Sequence, residues 1–186
     1  MVFLGENGAL FYRRNGRTVQ RQDLGIPPAP GRMEALAESL LAQFPNLKVA
    51  SDQFCRRFDL AIDFAEEVGP FPLRQAEDLA AAFEAEGAKA KVSSIHVNGW
   101  FGSWDKASGL QQVLRGHFDL DTHQLAYVGD SPNDGPLFAI AALSVGVANI
   151  SEFPNLPEAP AFICNAARGK GFAEFVAALL HQRRLP

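Results

Sequence analysis

Hydrophobic positions along this chain change period several times, and each change marks an element. Val2 to Leu4 and Ala9 to Tyr12 are short apolar or aromatic runs around Gly5-Glu6-Asn7-Gly8, which reads as strand, turn, strand. Met33, Leu36, Ala37, Leu40, Leu41 and Phe44 recur at helical spacing and predict an amphipathic helix that Pro45-Asn46 ends. From Arg57 to Phe64 the period drops to two. Phe58, Leu60, Ile62 and Phe64 share one face and Arg57, Asp59, Ala61 and Asp63 the other, the pattern of a half-buried strand. A second helix is predicted from Pro72 to Glu86, with Leu73, Ala76, Leu79, Ala80 and Phe83 inward and Gly87 closing it. Lys91 to Asn98 reads as one further strand. This order suits a small α+β sheet covered by helices on one side.

Beyond Trp100 the texture changes. A helix is predicted near Lys106 to Phe118, then an apolar strand Leu125 to Val128 and a helix near Gly135 to Ala142. Strands at Ser144 to Val147 and Ala161 to Cys164 follow, and a last helix runs from Gly171 to His181, its dipole complemented by His181, Arg183 and Arg184. Uniformly apolar strands alternating with helices indicate a parallel sheet buried on both faces. The chain is therefore expected to divide near residue 95.

Composition narrows the function classes. With 186 residues, 47% hydrophobic and 20% charged, the chain can bury the core of one domain or two small ones. Its 21 acidic against 17 basic residues supply no surplus of cations for a phosphate backbone, so no nucleic-acid partner is expected. The longest apolar stretch, Leu137 to Ala148, is broken by Ser144 and Gly146 and falls short of the roughly 20 residues that span a bilayer, so no membrane helix is expected. Met1 to Glu6 carry neither a basic leader nor a signal-length apolar run, which makes the cytoplasm the expected compartment. Cys55, Cys164 and the four histidines lack the spacing of a metal cluster.

The segment richest in chemistry is Leu125-Ala126-Tyr127-Val128-Gly129-Asp130-Ser131-Pro132-Asn133-Asp134-Gly135, an apolar strand that enters a turn with two carboxylates and then a helix. Ligands of open parallel sheets sit outside the carboxyl ends of the strands, where Asp130 and Asp134 would lie. Such carboxylates suit a hard dication such as Mg²⁺, which keeps its other positions for water and phosphate oxygens. The same residues equally make a good strand-to-helix turn capped by Asp or Ser, and local chemistry leaves both readings open.

Gly129-Asp130-Ser131-Pro132-Asn133-Asp134 resembles GDxxND, the fourth motif of the haloacid dehalogenase superfamily of phosphatases. Its four fixed residues would match by accident at about 10⁻⁵ per position, given roughly 5% usage of each. Ser94 to Lys106 resembles the third-motif region, where a Lys opens a helix, and Glu6-Asn7-Gly8-Ala9-Leu10 is similar to the segment preceding the cap in the branch with a large cap between motifs two and three. Within that branch the chain resembles the sucrose-phosphate and mannosylglycerate-phosphate phosphatases. The resemblance implies an α/β fold: the C-terminal part of a Rossmann-like core with a parallel sheet, plus an inserted α+β cap. Residues 1–14 would be a core-sheet segment, 15–94 the cap and 95–186 the C-terminal half of the core.

It also implies hydrolysis of a small phosphorylated sugar or sugar acid through an aspartyl-phosphate, with Mg²⁺ and a Lys offsetting phosphoryl charge. Lys106 is then the point charge, Asp130 a metal ligand, Asp134 a metal ligand or the residue that orients Lys106, and Asn133 a support of that shell. The alternating polar face of the cap, Arg57, Asp59, His96 and Asn98, is expected to choose the sugar. The family's first motif, DxDGT, and its second, a phosphate-holding Ser or Thr, are expected upstream of Glu6. Asp119-Leu120-Asp121-Thr122 follows a helix rather than a buried strand and has no Gly-Thr after it. The chain alone is therefore expected to be inactive, with the nucleophile's segment removed, lost through a misplaced start or supplied in trans. The alternative expectation is a non-catalytic remnant that binds a phosphorylated sugar or a protein partner.

Overall fold

The computed structural model describes residues 1–156 and 158–182, so the expected helix-end cations Arg183 and Arg184 lie outside the described residues. The chain falls into two compact units, Met1–Val113 and Leu114–Pro186.

The first unit begins with an antiparallel sheet of β1 (Val2–Gly5), β2 (Leu10–Asn15) and β3 (Thr18–Asp23) in that order. A one-turn helix, Glu6–Gly8, joins β1 to β2, and within it Glu6 and Asn7 hold left-handed backbone, φ 46° and 53°. Strand β3 escapes the hydrophobic pattern because it is exposed along its whole length. Its sequence signal is the Asn15-Gly16 turn that closes the hairpin, with Asn15 paired to Thr18. Inward-facing Leu10 joins Ala9 and Phe58 in one apolar cluster, and Phe11 joins Leu24 and Val113 in another.

A second sheet of the same unit has the order β4-β5-β7-β6, built from β4 (Lys48–Val49), β5 (Leu60–Asp63), β6 (Lys89–Val92) and β7 (His96–Trp100), all antiparallel. Helix α1 (Pro30–Gln43) buries Met33, Leu36 and Leu40, and α2 (Leu73–Ala85) buries Ala76, Leu79 and Phe83. Both match the predicted stripes, and Pro30 stands in the first turn, where its missing N–H costs nothing. The opposite sheet face is polar, with Asp63 across from His96, and Ala61 and Lys91 flanking Asn98.

Three expectations change here. The segment Lys91 to Asn98 is a hairpin rather than one strand, because Ser93 turns the chain: its Oγ accepts from the backbone N–H of His96 at 3.0 Å. Since β7 pairs with both β5 and β6, this sheet runs on to Trp100, past the division expected near residue 95. Strand β5 is buried on both faces rather than one, and its one polar residue, Asp63, is satisfied internally by the N–H groups of Ala65, Glu66 and Glu67.

Helix α3 (Lys106–His117) leads into the second unit. There β8 (Ala126–Gly129), β9 (Leu143–Gly146) and β10 (Phe162–Ile163) form the expected parallel sheet in the order β10-β9-β8, with α4 (Gly135–Ile140) after β8 and α5 (Arg168–Gln182) after β10. Only β9 has the expected burial. Strand β8 lies at the sheet's edge with Ala126 exposed and Tyr127 and Val128 half-buried, and both residues of β10 are exposed. Among the described residues no helix is long and apolar enough to cross a membrane.

Candidate functional site

The turn at the carboxyl end of β8 is built from its own side chains. Asp134 accepts hydrogen bonds from the Tyr127 hydroxyl at 2.7 Å, the Asp130 N–H at 2.9 Å and the Ser131 N–H at 3.3 Å. Its carboxylate is drawn so close to the end of the strand that a Cβ at position 129 would stand 2.7 Å from it, so Gly129 is required by contact. Ser131 Oγ donates to Asn133 Oδ1 at 2.8 Å, and Ser131, Asn133 and Asp134 are all buried. Burial, with the adjacent Asp134 carboxylate, pushes the Tyr127 phenol far above its ordinary range, so the hydroxyl stays a donor.

The two readings of this segment therefore separate by residue. Asp134, expected as a metal ligand or as the residue that orients Lys106, and Asn133, expected to support the metal's shell, have these oxygens engaged inside the turn, where they shape it. Asp130 differs. Its carboxylate is half-buried, its Oδ2 takes a long 3.4 Å hydrogen bond from Asn149, and its Oδ1 has no hydrogen-bond partner among the described residues. It lines an open cavity of about 370 Å³ with Tyr127, Asp134, Val147, Arg168 and Phe172. Among the described residues no cluster of three or more His, Cys, Asp or Glu could enclose a metal. One available carboxylate at a strand end nevertheless fits Mg²⁺, which is commonly held by one or two carboxylates while water and phosphate oxygens complete its shell.

Lys106 stands at the first position of α3, in the first unit. Asp105 caps that helix, its Oδ1 accepting from the Ser108 N–H at 2.8 Å while Ser108 Oγ accepts from the Asp105 N–H at 2.9 Å. A cation at a helix N-terminus works against the macrodipole, so helix stability does not explain this lysine.

The polar sheet face of the first unit holds the remaining expected residues in unequal ways. Asp59 is buried and is gripped by Asn7 Nδ2 at 2.8 Å and Arg56 Nη1 at 3.1 Å. Burial raises its pKa to about 6, the nearby Arg56 guanidinium opposing the rise and the Glu6 carboxylate adding to it. Arg56 also binds Asp52 through Nε at 3.0 Å and Nη2 at 2.8 Å, and reaches Asn98 Oδ1 at 3.5 Å. His96 Nε2 lies 2.8 Å from Glu66 Oε2 but is not aligned to hydrogen-bond it. Arg57, expected on this face, lines an open cavity of about 450 Å³ together with Arg56 and Asp59. It precedes β5, is exposed, and approaches Asp23 at 3.7 Å over the rim of the Phe58 ring. Strand β5 begins at Leu60, three residues after Arg57, so its alternation does not reach Arg57; the guanidinium that joins Asp59 to Asn98 belongs to Arg56, outside any periodic pattern. Asn7 and Glu6 were equally hidden, since their partners lie over 50 residues away: Glu6 Oε2 accepts from the N–H groups of Arg57, Phe58 and Asp59.

Residues 76–176 match the sequence model of haloacid dehalogenase-like hydrolases. The chain belongs to that family. Two proteins named phosphoglycolate phosphatase are similar to this haloacid dehalogenase-like hydrolase: one from Haloarcula marismortui at 40% identity over 39% of this chain, one from Methanothrix thermoacetophila at 31% over 38%. The matched part spans only 31% of the length of each relative. The crystal structure of a sucrose-phosphatase from Synechocystis, in complex with sucrose and phosphate, superposes with a TM-score of 0.62 at 16% identity, covering 95% of this chain and 73% of that one. At that identity it supports the α/β fold alone. The matched residues of the family model begin in α2 and run through Lys106, Asp130, Asn133 and Asp134 into α5.

Proposed function

We propose that this chain is part of a Mg²⁺-dependent phosphatase that hydrolyses a small phosphorylated sugar or sugar acid through an aspartyl-phosphate. The observation that carries the reading is Asp130: a carboxylate at the carboxyl end of a parallel strand that lines an open cavity, has one oxygen that no described residue engages, and sits in a turn braced by the polar groups around it. Membership of the hydrolase family supports the reaction class.

Asp130 would bind Mg²⁺, and Asp134 and Asn133 shape the turn around it. When bound, the ion offsets charge on the transferring phosphoryl oxygens. Lys106 supplies a further cation by the family resemblance, a role consistent with its otherwise unfavourable place at a helix N-terminus. No DxDGT occurs in the 186 residues, so in this reading a further segment, of the same polypeptide or of another chain, carries the attacking Asp. Residues 1–14 and the second unit then belong to the core and the four-stranded sheet with its helices to the cap. Its two unpaired thiols suit the cytoplasm.

For the substrate, the polar face of the four-stranded sheet favours neutral hydroxyls. Asp52 and Asp59 flank the Arg56 guanidinium and the Glu6 carboxylate acts on Asp59, so a ligand carboxylate would meet more negative than positive charge there. Phosphoglycolate, from the names of the two relatives, is the competing substrate. The test is phosphate release from sugar monophosphates, phosphoglycolate and an aryl phosphate by the assembled enzyme with Mg²⁺. Sugar phosphates should lead, and Asp130→Asn should abolish turnover on all three. Preference for phosphoglycolate overturns the substrate class; full activity of Asp130→Asn overturns the site.

A further inference from the structure

Asp130 has a support that enters from the neighbouring strand. Asn149 lies in the helical turn Ala148–Glu152 that follows β9. Its Oδ1 accepts the backbone N–H of Arg168 at 2.9 Å, and its Nδ2 donates to Asp130 Oδ2 at 3.4 Å. The orientation of this amide is dictated by its neighbours. A backbone N–H can be met only by the oxygen, which turns the NH₂ group toward the carboxylate.

The far anchor of this relay is stiff. Arg168 opens α5 with left-handed backbone, φ 53°, a conformation that a non-glycine residue keeps only where the surroundings demand it. Ala148 donates to the Ala166 carbonyl at 3.0 Å. Gly171 is buried where a Cβ would stand 2.2 Å from the Ala166 oxygen and 2.8 Å from Val147 Cβ. The first turn of α5 is thus pressed against the exit of β9 at a distance only glycine permits, and it presents the Arg168 N–H at a defined point.

We propose that Asn149 is a positioning residue for Asp130, holding Oδ2 so that Oδ1 faces the cavity for a divalent cation. This rests on the reading of Asp130 as a metal ligand. A donor on one carboxylate oxygen fixes the plane of the group and leaves the other oxygen aimed. Partners of metal-ligating groups commonly change affinity by about 10- to 100-fold when removed, and a single long amide bond belongs at or below the low end, about 3- to 10-fold.

The experiment uses the ¹⁵N-labelled chain with Mn²⁺ as the spectroscopic probe. Without metal, Asp130→Ala should move the Asn149 side-chain amide signals, and Asn149→Ala should move the Arg168 backbone amide, with other cross-peaks in place. In Mn²⁺ titrations followed by electron paramagnetic resonance, Asn149→Ala and Asn149→Ser, whose hydroxyl is too short to reach both partners, should each weaken binding about 3- to 10-fold. Retained spectral dispersion of at least one variant certifies the fold. Unmoved Asn149 amide signals, or wild-type Mn²⁺ affinity in the folded variants, overturn the proposal. Equal Mn²⁺ binding by wild type and Asp130→Ala defeats the metal-ligand reading beneath it, and the metal-free amide shifts still report whether the relay exists.

Discussion

Removing the Asp134 carboxylate should cost the second unit far more than an ordinary surface substitution. Asp134 accepts from the Tyr127 hydroxyl and from the N–H groups of Asp130 and Ser131, and only 5% of it is exposed. Hydrogen bonds to charged groups contribute about 1.5–3 kcal/mol each, the 3.3 Å contact less, and buried donors left behind pay their own desolvation. Asp134→Ala should therefore destabilise the unit by about 3–5 kcal/mol, a large share of the 5–15 kcal/mol typical of a whole domain. Tyr127→Phe removes one bond and should cost about 1–2 kcal/mol. Because the hydroxyl acts through Asp134, the double variant should cost little more than Asp134→Ala alone, a coupling of about 1 kcal/mol or more. Both tryptophans, Trp100 and Trp104, belong to the first unit, so their fluorescence is the wrong probe. Urea unfolding followed by far-ultraviolet circular dichroism, with hydrogen exchange read at the β8 and β9 amides, follows the right unit. A loss below about 1 kcal/mol in Asp134→Ala, or additive single costs, would refute the view that this carboxylate builds the turn.

Other consequences are equally direct. The pKa of Asp59, raised from 3.8 to about 6, means that the folded state binds more protons than the unfolded one between those values. Its contribution is thus fully present below about pH 4 and is lost as pH rises through about 6, on the order of 2–3 kcal/mol. Chemical denaturation across that range should show the fall, and Asp59→Asn should flatten it; an unchanged slope contradicts the assignment. Glu6→Gln keeps an acceptor for the Arg57, Phe58 and Asp59 N–H groups but removes a charge that raises the Asp59 pKa, so the same fall should shift to lower pH. In the assembled enzyme, His96→Ala and Asn98→Ala should impair hydrolysis of a sugar phosphate much more than that of an aryl phosphate, and equal losses on both would make these residues purely structural.

What was legible in the sequence follows the reach of each interaction. The stripes of α1 and α2 repeat within a few residues, and burial of Met33, Leu36, Leu40, Ala76, Leu79 and Phe83 follows that local pattern. The parallel sheet was legible because β8 and β9 are apolar and separated by a short helix. Strand β3 was not, for an exposed strand owes its place to pairing with β2 rather than to hydrophobic spacing. The GDxxND turn could be found as a string, but its division of labour could not. The fold alone brings Tyr127, a residue of the apolar strand, onto one oxygen of Asp134 and leaves Asp130, which lines the cavity, with an oxygen that no described residue engages. Asn7 and Asn149 act through partners 52 and 19 residues away, and Arg56 reaches Asn98 42 residues on, where no periodicity reports. A usable hint existed for Arg56 alone, in its spacing to Asp52 and Asp59.

The claim on which the functional reading stands is that the end of β8 holds a divalent cation through Asp130. Paramagnetic line broadening locates such an ion without any need for turnover. On addition of substoichiometric Mn²⁺ and inorganic phosphate to the ¹⁵N-labelled chain, the amides of residues 129–134, 149 and 168 should broaden first, and Asp130→Asn should abolish the effect. Broadening centred on carboxylates away from the end of β8, or an identical pattern in Asp130→Asn, would contradict it.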